Sequence, residues 1–240
     1  MKVFAENALE LLPAYFILAE ANIGMGGSRL KKAEQFLMAA KWNLLKFKDD
    51  KSEEKSRVGD DSLVSAQEIE QYQALLNRTF GKLFMAQNRI EAFDELTQGI
   101  YKDSLKYGPE SIQLSSSYFH MGQLFLSQER FVEAKSFYLK ICEIWKRYVL
   151  EEAQTMESDE TTGLLIDEAW KHLHEILAFL ERLRDDNTTA TADCLFALSL
   201  VTFSTGRKED ALDEMTRCYE IYSQKLGDYA KKTKEVEETI

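Results

Sequence analysis

Proline is nearly missing from this chain, with two residues in 240. Few positions therefore lack a backbone N–H, and long helices are permitted almost anywhere. Cysteine is scarce as well: Cys142, Cys194 and Cys218 include no close-spaced pair. An odd, scattered set argues against a disulfide framework and favours a reduced, cytosolic compartment. Basic charge is in deficit, since 30 Lys and Arg stand against 41 Asp and Glu for a net charge of −11. Binding phosphate needs the opposite balance, which excludes nucleic acid as a partner and disfavours an anionic membrane surface. No apolar run reaches the roughly 20 residues that span a bilayer. Met1–Glu10 also lacks the basic start, apolar middle and small-residue cleavage site of a secretory signal.

Catalytic and metal motifs are missing too. There is no phosphate-cradling glycine loop, no nucleophile elbow and no pair of histidines one helical turn apart. His172 and His174 lie two apart on a predicted helix, so they point about 200° away from each other and cannot share an ion. His120 is remote in sequence. Neither a metal nor any other cofactor is expected, and the chain is not expected to be an enzyme. Glu151-Glu152 and Asp185-Asp186 are read as solvated faces, and Trp42, Trp145 and Trp170 as core.

What the chain does have is a recurring pattern. Gly122 and Ala134 are twelve residues apart, with Tyr138 and Ile141 at four and seven residues beyond Ala134. Ser199 and Ala211 repeat that spacing of twelve, followed by Met215 and Cys218. Gly81 and Ala92 are eleven apart, with Leu96 and Gly99 following; Ala19 and Ala33 are fourteen apart, with Leu37 and Ala40 following. Small residues at such spacing let two helices of a hairpin approach, while larger neighbours fill the flanks. This is the pattern of tetratricopeptide repeats, in which hairpins stack and each covers the next. The expected fold is all-α: a tetratricopeptide-like right-handed α-solenoid of about four to five helical hairpins.

Segment boundaries follow from the punctuation. Residues 1–47 form the first hairpin, 48–62 a charged mobile loop with ten charged residues in fifteen, and 63–107 the second hairpin. Gly108-Pro109 opens the third, 108–157. Residues 158–240 are expected to hold an inserted helix, a C-terminal hairpin and a polar cap. The inserted helix spans Leu164–Arg184, apolar at Ile166, Ala169, Leu173, Ile176 and Leu180.

Stacked hairpins offer a wall built from their first helices. The positions expected to face it are Phe16, Glu20 and Ile23 in the first hairpin, and Arg78, Lys82 and Met85 in the second. Phe119, Gln123 and Leu126 follow in the third, and Phe196, Leu200 and Phe203 in the last. Four phenylalanines on one wall suggest a partner surface. Ser116 and His120 do not complete the Lys and Asn clamp by which chaperone-type repeats hold a terminal carboxylate.

Two stretches go beyond a generic repeat. Glu10–Lys46 carries Leu12-Pro13-Ala14-Tyr15, Leu18-Ala19-Glu20-Ala21, Ala33-Glu34 and Trp42; Tyr107–Leu150 carries Tyr118-Phe119-His120 and Glu143-Ile144-Trp145. Together they cover about a third of the chain and closely resemble the repeat part of the zinc finger MYND domain-containing family of axonemes. The resemblance implies a protein of cilia and flagella that is linked to the single-headed inner dynein arm. It also implies two partners, an inner-arm dynein heavy chain and a second repeat protein like tetratricopeptide repeat protein 29. The family's Cys-rich finger and the repeat before Glu10 have no counterpart here, so no zinc is carried over. The apolar N-terminal face is expected to be covered by a partner or by missing sequence. The alternative reading is an adaptor of the kinesin light chain type, which shares the long period and the Tyr107-Gly108-Pro109-Glu110 connection.

Overall fold

A computed structural model describes residues 9–54, 66–152, 160–183 and 188–239. Every element among the described residues is helical, and no strand is present. The chain divides into two compact units, Met1–Pro109 and Glu110–Ile240, each a stack of tetratricopeptide-like hairpins.

The first unit pairs α1 (Leu12–Met25) with α2 (Leu30–Glu54), then α3 (Ala66–Ala86) with α4 (Glu91–Tyr107). Pro13 sits in the first turn of α1, where a missing N–H costs nothing. Ala19, Ala33, Leu37 and Ala40 are fully buried where α1 meets α2, and Ala92 and Leu96 are fully buried between α3 and α4. A Cβ on Gly81 would stand 2.5 Å from the Leu96 side chain, so only glycine lets those two helices close.

The second unit pairs α5 (Ser115–Ser127) with α6 (Phe131–Arg147), which ends in a π-helical turn at Tyr148–Glu152. Then come α7 (Glu160–Arg182), the hairpin of α8 (Thr189–Ser204) with α9 (Lys208–Leu226), and the short α10 (Lys231–Glu237). Trp145, Ile141, Leu173, Ile176, Phe196 and Tyr222 make its core. A Cβ on Gly122 would stand 2.4 Å from the edge of the Tyr138 ring. Helix α7 lies against α5, α6 and α8, while α8 also packs directly on α6. An insertion has thus been threaded between two consecutive hairpins.

A residue with positive φ recurs at fixed register. Gly26, Asn88, Glu129 and Gly206 each follow the small residue of the first helix by seven positions. Their φ values are 64°, 55°, 59° and 84°. Left-handed backbone reverses the chain there, at a cost that only glycine escapes. In the middle two hairpins the next residue is arginine, whose N–H closes the turn on the carbonyl of Phe84 or Phe125. Its guanidinium lies 4.0 Å above the Phe84 ring and 4.3 Å above the Phe125 ring.

The charged segment departs from expectation. Helix α2 continues to Glu54, so Lys48–Glu54 is helical rather than loop. Extending an existing helix costs little, and long-chain Lys and Glu are good helix formers that need no apolar face. Residues 55–62 lie outside the described residues, and Glu160–Gly163, ahead of the expected Leu164 start, already belong to α7.

Candidate protein-interaction groove

In the first unit the expected wall positions meet each other. Phe16 is buried and stacks on Tyr72 of α3, with ring centroids 6.1 Å apart and planes 16° off parallel. Glu20 accepts a charged hydrogen bond from Lys82 at 3.0 Å. Ile23, Arg78 and Met85 are half-buried, and the Arg78 Nε is enclosed without an acceptor. The Phe16–Tyr72 and Glu20–Lys82 contacts fasten α1 to α3.

In the second unit the inserted helix takes the equivalent place. Phe119 is 3% exposed and lies flat on His172 of α7. Gln123 reaches Glu175 at 3.4 Å, Ser116 donates to Glu168 at 2.9 Å, and Tyr138 meets Phe179 edge-on at 5.3 Å. Burial pushes the Tyr138 hydroxyl up to about 12. Phe196 is 1% exposed, with the Lys146 ammonium 4.6 Å above its ring. Leu126 is half-buried.

The expected water-facing aromatic wall is therefore corrected at three of its four phenylalanines: Phe16, Phe119 and Phe196 are core. Fully burying a side chain of that size gains about 1.5–3 kcal/mol, and the next helix is close enough to supply the cover. Phe203 alone stays open, at 57% exposure. Trp42 departs in the other direction. Its place on an apolar stripe predicts core, but it is exposed on α2, beside exposed Met38 and Leu45. Leu45 also lines a recess of about 360 Å³ with Lys41, Leu76, Phe80 and Lys102.

Phe203 belongs to a larger apolar groove of about 700 Å³. Leu200 and Phe203 of α8 form one side, Leu212 and Met215 of α9 the other, and Val149 and Leu150 after α6 close it. Among the described residues that line it, Lys208 is the one carrying charge, with its ammonium 5.9 Å from the Phe203 ring. Reasoning from first helices alone finds Leu200 and Phe203 but misses Leu212 and Met215. The available signal was Ala211, since one and four residues beyond it share a helix face.

Behind this groove lies a polar cluster. The Arg207 guanidinium is 3.9 Å above Trp170, and Trp170 is 4.0 Å from the His174 ring. The His174 Nε2 stands 3.9 Å from the buried Glu214 carboxylate. Burial raises the Glu214 carboxyl above its usual range, partly offset by Thr202 and His174. His120 and His172 come together despite their separation in sequence, with ring centroids 6.1 Å apart. Among the described residues, no group of three or more His, Cys, Asp or Glu could hold a metal ion. Cys218 is buried, donates to the Ala192 carbonyl at 3.2 Å, and is pushed up to about 12 by that burial. No helix of the described residues is long and apolar enough to cross a membrane.

No protein-family model matches the chain. A crystal structure of nearly identical TPR-like repeats, from a Podosopora anserina protein described as a kinesin light chain, is similar to it at 10% sequence identity and a TM-score of 0.39. That similarity covers 91% of this chain and 98% of the other.

Proposed function

We propose that this protein is a non-enzymatic scaffold that holds other proteins together. More narrowly, it serves the axoneme of cilia and flagella, helping to anchor or assemble a single-headed inner dynein arm on the doublet microtubule. The observation that carries the scaffold reading is the apolar groove on α8 and α9, a concave site on a rigid helical stack with Phe203 and Leu212 exposed at its rim. The axonemal reading rests on the likeness of Glu10–Lys46 and Tyr107–Leu150 to the MYND family's repeats.

The mechanism is positional. Close-packed hairpins keep the groove's two sides at fixed separation, so a partner binds without ordering the scaffold first. With a net charge of −11, the chain repels acidic tubulin, and attachment runs through the dynein heavy chain and a second tetratricopeptide protein. Crosslinking mass spectrometry on isolated axonemes tests this. Crosslinks from the α8–α9 hairpin to an inner-arm heavy chain or to a repeat protein are expected. Enrichment on vesicles, with crosslinks to cargo proteins, would replace this reading with the adaptor of the kinesin light chain type.

A further inference from the structure

The hairpins can be superimposed by register. Ala19, Gly122 and Ser199 are equivalent on the first helices, and Ala33, Ala134 and Ala211 on the second. One residue beyond the first of these marks, Glu20 meets Lys82 of α3 at 3.0 Å, and Gln123 meets Glu175 of α7 at 3.4 Å. One residue beyond the second mark, Glu34 meets Arg89 in the turn after α3 at 3.3 Å. Four residues beyond it, Tyr138 meets Phe179 of α7. The same face of two hairpins is thus covered by a following helix, α3 in one unit and α7 in the other. In the last hairpin those positions are Leu200, Leu212 and Met215: Leu200 and Met215 form the buried floor of the groove, and Leu212 stands exposed at its rim.

The composition of that face points the same way. Covered hairpins carry Glu20, Glu34, Gln123 and Lys135 at the two positions where the open hairpin carries Leu200 and Leu212. A face designed for water would show the reverse order. Helix α10 does not fill the space. Its Lys232 bonds Asp193 at 2.5 Å and its Thr233 bonds the Gly227 carbonyl at 2.9 Å, both at the opposite end of the hairpin. Among the described residues that follow α9, Thr239 alone reaches the groove's edge.

We propose that this groove seats an amphipathic α-helix of a partner protein, whose apolar ridge lies between Phe203 and Leu212 and whose carboxylate meets Lys208. The inference rests on the scaffold reading and specifies its contact. A helix is the occupant because a helix fills the equivalent place twice in this chain, and because it satisfies its own backbone groups within an apolar cleft. An acid is expected because Lys208 is the one charged side chain among the described residues that line the groove; Glu209 and Asp210, which follow it in the first turn of α9, are not among them. A second copy is disfavoured, since each copy carries a net charge of −11.

The test titrates the full chain with fluorescent synthetic helices, long enough at ~18 residues to be helical, with leucines at i, i+3, i+4 and i+7. One set is flanked by Glu and the other by Lys. The Glu set should bind. Leu212→Asp or Phe203→Asp should each weaken it by about tenfold or more, the scale of one lost apolar anchor. Both residues are exposed, so circular dichroism and melting should be unchanged. Lys208→Glu should transfer the preference to the Lys set. Binding indifferent to all three changes, or no binding by either set, would overturn the proposal. Self-association abolished by Leu212→Asp would overturn it in favour of a second copy. Axonemal crosslinks that survive Leu212→Asp would end the groove assignment and leave the scaffold standing, whereas a native chain with no axonemal protein partner would end the scaffold reading itself.

Discussion

Phe119 lies face to face on His172, with ring centroids 3.8 Å apart and planes 13° from parallel. The contact joins α5 to α7 and closes a position that repeat register alone would leave on an open wall. Seated there, Phe119 supports the fold rather than contacting a partner. Phe119→Ala should cost about 3–5 kcal/mol, the range for removing a buried aromatic. Phe203→Ala, at an exposed position on the groove, should stay within about 0.5 kcal/mol. Urea denaturation followed by circular dichroism compares the two, and equal losses would show that Phe203 is core as well.

Close approach at Gly122 gives a second expectation. An added Cβ would overlap the Tyr138 ring, so Gly122→Ala should cost about 1–3 kcal/mol, as overpacked core sites do. Gly163 is the control: it lies exposed in α7 with nothing within 4 Å of an added Cβ. Gly163→Ala should gain roughly 0.5–1 kcal/mol through helix propensity. Melting temperatures of opposite sign are the readout.

The turn between α5 and α6 holds a glutamate where two other hairpins hold glycine. Glu129 has φ 59° and is exposed. Left-handed backbone costs a side chain about 1–2 kcal/mol, and glycine's extra chain entropy returns part of that. Glu129→Gly should therefore stabilise by roughly 0.5–1 kcal/mol. A loss of stability instead would mean that the Glu129 side chain has a role beyond the turn.

Glu214 makes stability depend on pH. Burial raises its carboxyl in the folded chain above the ordinary 4.5. The folded state therefore holds this proton more tightly than the unfolded chain does. The resulting penalty is absent below the ordinary value and grows as pH rises through the folded one. Glu214→Gln should raise the melting temperature at pH 7, with the gain vanishing in acid. A variant less stable than the parent at pH 7 would show that attraction to His174 and Arg207 outweighs burial.

Much of this architecture can be read without coordinates. The spacing of small residues locates all four hairpins, and the positions four and seven residues further on are buried in each, from Leu37 and Ala40 to Met215 and Cys218. That works because the contact inside a hairpin is local: both partners lie within one short stretch of chain, and the helical repeat sets which residues face each other. The turn glycines Gly26 and Gly206 are visible for the same reason. Asn88 and Glu129 are not, since neither residue type demands a positive φ.

The groove is a different matter. Phe16, Phe119 and Phe196 stand three residues before the small residue of their helices and are sealed, while Phe203 stands four residues beyond it and is open. The outcome depends on which distant helix arrives: α3 over Phe16, and α7, displaced from the regular count, over Phe119. Helix periodicity specifies which face of a helix is apolar, and hydrophobic burial requires that most such faces find cover. Neither fixes which face is left over. That choice is made by packing between elements far apart in sequence, where the insertion of α7 decides what the last hairpin still exposes.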